Sequence, residues 1–97
     1  MQFMVLFSRH PSKANETPPS ELRNAEFQRV RQFYAEGLVQ QVWLRGDAGG
    51  ACMIAEAPDP ETLKQAFSTL PLVKAGTLLP PMIVPLEPYS GFAPNPR

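Results

Sequence analysis

The chain has 97 residues, of which 43% are hydrophobic and 19% are charged, and its 9 basic and 9 acidic side chains cancel. This length predicts a single domain over residues 1–97, and the balance argues against a disordered chain and against a basic surface that would hold nucleic acid. A chain with 1 cysteine and 1 histidine cannot build an internal disulfide or a Cys/His metal site, so we expect neither a metal nor a cofactor.

The first segment, residues 3–8, is a short apolar run that predicts a strand. It is too short for a signal peptide, and no stretch of the chain approaches the roughly 20 apolar residues of a membrane helix. We therefore expect a cytoplasmic protein without a membrane contact. Both faces of the strand are apolar, with Phe3, Val5 and Phe7 on one and Met4 and Leu6 on the other. This pattern predicts that the strand is covered on both sides.

A polar loop over residues 11–19 precedes a predicted helix that begins near Ser20, where T-P-P-S supplies a capping hydroxyl, and ends at Ala35 before Gly37. Apolar residues recur along this helix at helical spacing. The members of this stripe are Leu22, Val30 and Phe33, with Phe27 and Tyr34 further round.

Two strands, residues 38–45 and 51–56, flank a glycine-rich turn and form a predicted hairpin. Asp59 and Pro60 have the residue types of an N-cap and first helical position, so a second helix is expected over residues 61–69. The last apolar segment, residues 77–86, contains three prolines that remove ladder donors, which predicts an edge strand or one that pairs in pieces. Residues 87–97 follow as a C-terminal arm.

The element order is strand, helix, strand, strand, helix, strand, which predicts an α+β, ferredoxin-like βαββαβ fold with an antiparallel sheet. Helices of a chain this short cover one sheet face, and a bare apolar face is an aggregation hazard. The sequence therefore predicts that a second copy covers the other face, giving a dimeric α+β barrel.

Glu26 is the first candidate for chemistry. In steps of 100° from Leu22 it lies at about 40°, between Phe33 at about 20° and Val30 at about 80°. A carboxylate in the middle of an apolar stripe faces the sheet, where burial would raise its pKa and make it a useful base. The alternatives are a structural ion pair with one of the arginines, Arg23, Arg29 or Arg45, or a glutamate that reaches solvent from the edge of the stripe.

Other candidates are distributed over the strands and the same helix. His10 follows the first strand and is either an acid or base at the mouth of a site or a solvated loop histidine. Trp43 and Arg45 share a strand face. They either line a pocket for a planar, anionic substrate, or Trp43 lies in the core of a dimer interface and Arg45 at its solvated rim. Arg23 and Tyr34 are further predicted substrate-binding residues.

Between Leu22 and Leu72 the chain resembles the muconolactone δ-isomerases. The matching features are Glu26, Glu36-Gly37 at the helix end, Trp43, Ala48-Gly49 in the glycine turn, Pro58, and Leu70-Pro71-Leu72 after the second helix. The resemblance implies a ferredoxin-like fold that pairs face to face and assembles into larger rings. It also implies a cofactor-independent isomerase of bacterial aromatic catabolism.

The implied reaction is a proton shift in a small carboxylated enol-lactone, for which we predict Glu26 as the base and Arg45 as the group holding the substrate carboxylate. The hairpin departs from the family pattern at Gly50, Ala51 and Cys52, which leaves the substrate open. Two alternatives remain on the same fold. One is a cofactorless monooxygenase-like enzyme, and the other is a non-catalytic ligand-binding or assembly domain.

Overall fold

A computed structural model describes residues 1–92. Its strands are β1 (Gln2–Leu6), β2 (Val39–Leu44), β3 (Ala51–Glu56) and β4 (Met82–Pro85), and its helices are α1 (Ser20–Ala35), α2 (Pro60–Phe67) and α3 (Pro71–Lys74). Short 3-10 turns lie at Pro11–Lys13 and Ser90–Phe92. Within the described part of the chain, no helix has both the length and the apolar character that a membrane crossing requires.

The four strands form one sheet in the order β2-β3-β1-β4, and every neighbouring pair is antiparallel. This order and the split βαβ connections confirm the predicted α+β, ferredoxin-like fold. The division of residues 1–97 into one domain, a loop and an arm stays a prediction, because the arm includes residues 93–97, which lie outside the described residues.

The core lies between the helices and one face of the sheet, here called the inner face. Phe3, Val5 and Phe7 of β1 and its extension are fully buried there. Phe67 of α2 packs edge-on against Phe7 and Phe33, with ring centroids 5.4 Å and 5.7 Å apart. Edge-to-face packing of buried rings adds stability beyond the burial of their area, so this cluster ties α1 and α2 to the sheet.

The helix ends follow the sequence in most respects. α1 begins at Ser20 as predicted, but its N-cap is Pro19 and no side chain caps it, so the predicted role of the Ser20 hydroxyl is wrong. Gly37 ends α1 with a φ of 82°, a conformation that suits glycine. Asp59 accepts the Thr62 N–H at 2.8 Å, which confirms the predicted cap of α2.

The region after α2 differs from its prediction. Leu70-Pro71-Leu72 was expected to close the second helix, whereas Pro71 begins the separate short helix α3. Proline is favoured in the first turn of a helix, where its missing N–H has no partner to lose. β4 then pairs with β1 alone, and an isolated bridge joins Arg9 to Leu78. The final segment is thus an edge strand that pairs in pieces, as predicted.

The opposite face of the sheet, here called the outer face, is covered by nothing in the described chain. Its apolar residues follow from the strand register and are Met4, Leu6, Trp43, Cys52, Ile54, Met82 and Val84; Gln2, Gln41 and Glu56 lie on the same face. Of the apolar residues, Trp43 and Met82 are exposed, and the others are partly exposed. The predicted second copy on this face stays a prediction.

Candidate active site

A cavity of about 440 Å³ opens on the inner face, between α1, the β2–β3 hairpin and residues 72–78. Its walls are mostly apolar and its polar side chains are Arg9, Glu26, Arg31 and Thr77. The volume lies within the roughly 300–1,000 Å³ range of small-molecule sites. An apolar cavity with a few polar groups is an arrangement typical of such sites.

Glu26 is buried in the cavity wall, with 8% of its surface exposed. Its Oε1 accepts the backbone N–H of Leu72 at 3.0 Å. Burial raises the pKa of Glu26, and the hydrogen bond from Leu72 opposes that rise. Among residues 1–92 no arginine or lysine forms an ion pair with this carboxylate. The structural ion pair that is one alternative explanation for Glu26 is therefore not found in the described chain. The other alternative, a glutamate that reaches solvent from the stripe edge, does not fit a residue that is 8% exposed.

The backbone of Leu72 connects Glu26 to a second polar side chain. The Leu72 carbonyl accepts the N–H of Thr77 at 2.9 Å and that of Leu78 at 3.1 Å. Thr77 lines the cavity with 5% of its surface exposed. Every buried side-chain oxygen and nitrogen in the described region has a hydrogen-bond partner. No hydrogen bond is found there for the Thr77 hydroxyl, so this oxygen keeps some accessible surface in a residue that lines the cavity.

The cationic groups of the cavity come from two elements. Arg9 follows β1 on the same face as Phe7, and its antiparallel bridge with Leu78 directs it to the inner side. Arg31 is an exposed residue of α1 at the rim. Neither arginine forms an ion pair with any residue between 1 and 92. The cavity thus has two guanidinium groups and one buried carboxylate.

The hairpin turn forms part of the cavity wall, where Gly50 approaches the end of β1. Gly50 has a φ of 121°, and a Cβ at this position would lie 2.1 Å from the Phe7 carbonyl oxygen. Its own carbonyl accepts the Arg45 N–H at 3.1 Å. Only glycine combines this φ with so close a backbone contact. The departure from the family pattern at Gly50 therefore has a local structural reason.

Trp43 and Arg45 lie on the outer side of the sheet, away from this cavity. Trp43 is 63% exposed and its Nε1 donates to Gln41 at 3.2 Å. The Arg45 guanidinium donates to both carboxylate oxygens of Asp47, at 3.0 Å and 2.7 Å, and to the Ser8 hydroxyl at 2.9 Å. This pairing raises the pKa of Arg45 and lowers the pKa of Asp47. Arg45 is thus engaged within its own hairpin.

The remaining predicted site residues do not line the cavity either. The His10 Nδ1 accepts the Ser12 N–H at 3.1 Å and so caps the short turn after β1. Arg23 and Tyr34 are exposed on α1. Of the six predicted site residues, all within the described range, Glu26 alone lines the cavity. Functional roles for the other five stay predictions.

Arg9 and Thr77 are cavity residues that the sequence interpretation did not single out. Arg9 continues the two-residue alternation of Phe3, Val5 and Phe7. The strand period alone therefore places Arg9 on the inner face. Thr77 gave no such signal. Its position depends on the turn after α3, and that helix was not predicted.

Comparison with known proteins bears on this site. The family described as muconolactone delta-isomerase matches residues 1–91. No curated protein matches the chain. The crystal structure of a muconolactone isomerase at 3.3 Å resolution is similar, with a TM-score of 0.73, 19% identity and 100% coverage of both chains.

A second similar structure is 5-chloro-2-hydroxyhydroquinone dehydrochlorinase from Burkholderia phenoliruptrix AC1100 in complex with 2,5-dihydroxybenzoquinone. The TM-score is 0.71 and the identity is 16%, over 90% of this chain and 94% of the other. At such identities the likeness of both structures establishes the fold alone. The predicted ferredoxin-like architecture is thereby confirmed a second time.

Proposed function

Because the chain belongs to the muconolactone delta-isomerase family, we propose that it is a cofactor-independent isomerase that moves a proton in a small carboxylated enol-lactone. The observation that carries the proposal is Glu26, a buried carboxylate with a raised pKa in the wall of an apolar cavity. We further propose that the enzyme acts in the cytoplasm, in the breakdown of aromatic compounds. Genes for a catechol dioxygenase and a muconate cycloisomerase beside its own would support that setting.

Glu26 is proposed as the base. Its ionised carboxylate removes a proton from the ring carbon next to the C=C bond that is conjugated with the lactone carbonyl. The electron pair of the broken C–H bond moves through the conjugated system to the carbonyl oxygen and forms a dienolate. The raised pKa matches the carboxyl better to this carbon acid than an ordinary exposed glutamate.

The same Glu26 then returns the proton to the carbon next to the carbonyl, so the double bond moves and no atom is gained or lost. Oε1 is held by the Leu72 N–H at 3.0 Å, while Oε2 accepts no hydrogen bond from residues 1–92. Oε2 is therefore the oxygen proposed to carry the proton. A single base suffices for removal and return, and His10 is not required for either step.

Thr77 is the proposed donor to the dienolate oxygen. Its hydroxyl is unpaired by the described residues, Thr77 lines the cavity, and the Leu72 backbone that binds Glu26 also holds the Thr77 backbone. A donor that is already oriented towards developing negative charge stabilises the transition state without reorganisation. The apolar walls strengthen that interaction because they keep water away.

Deuterium incorporation tests the proposal directly. The unaltered protein is incubated with muconolactone in D₂O and the product is followed by proton NMR. We expect a shifted C=C bond with the returned hydrogen at the carbon next to the carbonyl, and with partial exchange of that hydrogen for deuterium. Absence of any turnover across a panel of carboxylated enol-lactones would contradict the proposed function.

Loss of HCl from a chlorinated hydroxyhydroquinone is a second candidate, favoured by the nearly equal structural likeness to the dehydrochlorinase. There a base would take one ring hydroxyl proton while the carbon that bears chlorine is protonated, giving a ketone. Removal of a second hydroxyl proton would then expel chloride as the quinone forms, so the net loss is HCl. Chloride release without lactone turnover would favour this reaction. Oxygen consumption with a phenolic substrate would instead favour the monooxygenase alternative.

Self-association through the outer face is part of the proposal. The face is mostly apolar at its centre, uncovered by the described chain and continuous from β2 to β4, which suits a second copy and then a larger ring. Ile54 lies within it on β3. Ile54→Lys is expected to lower the mass measured by light scattering, whereas Gln28→Lys on exposed α1 should not. An unaltered protein that is monomeric at all concentrations would contradict the pairing.

A further inference from the structure

We propose that Arg9, held in place by Gly49, recognises the carboxylate of the substrate. This assignment deepens the proposed function and rests on it, and it replaces Arg45 as the anion-binding residue. In this arrangement Arg9 binds the substrate carboxylate, while Glu26 and Thr77, which line the same cavity, act on the lactone ring.

The backbone around Arg9 is fixed from both sides. The Leu79 N–H donates to the Ser8 carbonyl at 2.9 Å, and the His10 N–H donates to the Thr77 carbonyl at 2.8 Å. Arg9 lies between these two bonds in the bridge with Leu78. The ladder fixes the Arg9 backbone before a ligand binds, so no backbone freedom is lost on binding.

The Arg9 side chain packs against the hairpin turn at Gly49. A Cβ at Gly49 would lie 3.0 Å from the Arg9 Cδ and 3.3 Å from its Cβ. The missing side chain at Gly49 therefore leaves the space that the Arg9 stem occupies. Gly46 belongs to the same turn, and a Cβ there would meet nothing within 4 Å. The two glycines form a matched pair for testing this contact.

The other arginines near the hairpin and cavity are less suited to the role. Arg45 already donates to both oxygens of Asp47, so a substrate carboxylate would have to displace that partner. Arg31 is exposed at the rim, where water and salt weaken its attraction for an anion. Arg9 is half-buried, has no acidic partner in residues 1–92, and its guanidinium can bind a carboxylate through two parallel hydrogen bonds.

Binding of an acid and its ester tests the assignment. Muconolactone and its methyl ester, which lacks the negative charge, are titrated by calorimetry into the Glu26→Gln protein, where turnover does not interfere. Arg9→Gln, Arg31→Gln, Gly49→Ala and Gly46→Ala are then added singly to that protein. Thermal unfolding of each variant checks that the fold is retained.

We expect Arg9→Gln to weaken acid binding by about 10- to 100-fold, as loss of a charge-assisted contact does, and to leave ester binding nearly unchanged. Gly49→Ala should weaken acid binding by a smaller factor, because its methyl group displaces the Arg9 stem, and Gly46→Ala should have no effect. The assignment would be overturned if Arg9→Gln weakened acid and ester binding equally, or if the protein did not prefer the acid before Arg9 is changed. A larger loss of acid affinity from Arg31→Gln would also overturn it. Failure of the unaltered protein to turn over any lactone would contradict the proposed function separately, because the binding preference is measured without turnover.

Discussion

The two sides of the sheet differ in whether the functional polar side chains have side-chain partners. On the outer side, Arg45 is paired with Asp47, and Trp43 donates to Gln41. On the inner side, Glu26 has one backbone hydrogen bond and no ion-pair partner among the described residues. Paired groups stabilise local structure. A buried carboxylate without a counterion has a shifted pKa and keeps an oxygen that can take up a proton. The difference supports the proposed active site on the inner face.

Glu26→Gln is expected to produce the largest effect on turnover. A small effect would contradict the assignment of the chemistry to the inner face. Loss of a general base lowers kcat by about 100- to 10,000-fold, while glutamine keeps the acceptor for the Leu72 N–H. Steady-state turnover of muconolactone measures the effect. Glu21→Gln, an exposed change on the same helix, is the control and should leave kcat unchanged. Full activity of Glu26→Gln would falsify the assignment of the base.

Phe67→Ala is expected to have the largest effect on stability. Phe67 is fully buried and contacts two further rings, so its removal should lower the free energy of unfolding by about 3–5 kcal/mol. Trp43→Ala on the outer face should change it by about 0.5 kcal/mol or less in dilute, unassociated protein. Urea unfolding measures both. If both variants lowered the free energy of unfolding by similar amounts, Trp43 would be packed within its own chain and not exposed on the outer face.

Glu26→Gln should also stabilise the chain, by an amount that depends on pH. Burial raises the pKa of Glu26, so the folded chain binds this proton more tightly than the unfolded chain does. The destabilising effect of the ionised carboxylate is absent below the ordinary carboxyl pKa and complete above the raised pKa. Urea unfolding between about pH 4 and pH 8 should therefore show a glutamine advantage that grows with pH. An advantage that shrinks with rising pH would contradict the direction of the shift.

Asp47→Asn should give the smallest change. Asp47 is exposed, and Arg45 keeps its bonds to the Ser8 hydroxyl and the Phe7 carbonyl when the carboxylate is removed. Pairing lowers the pKa of Asp47, so the pair contributes at neutral pH and its contribution is lost as pH falls through that lowered value. Thermal unfolding at neutral and acidic pH checks this. A loss of lactone turnover in Asp47→Asn would show that the Arg45–Asp47 pair affects the chemistry of the inner face.

Much of the fold could be predicted because local signals agree with it. The start and end of α1, the bounds of β3 and the Asp59 cap all follow from nearby residues. α3 was missed because Leu70-Pro71-Leu72 is compatible both with the end of one helix and with the beginning of the next. The sequence alone could not choose between these, since the choice depends on how Leu70 is buried against the core.

The site was less predictable for a different reason. Glu26 could be found from one helix, because its neighbours in the stripe define a buried face. Arg9 and Thr77 meet only through the pairing of residues distant in the chain, in the bridge between Arg9 and Leu78. Arg45 looked suited to a substrate because its partner, Asp47, was assigned only to a turn. Pairing between side chains two residues apart requires a turn geometry that composition does not give.

The hydrogen bond from Leu72 to Glu26 has a consequence for how the site can diverge. The donor is a main-chain amide, which every amino acid except proline supplies. Substitutions of the Leu72 side chain can therefore accumulate without removing the group that holds the carboxylate. In distant relatives the glutamate can keep its orientation through the path of the chain, even where no second side chain marks the site in an alignment. Leu72→Pro is the one replacement at that position that removes the donor.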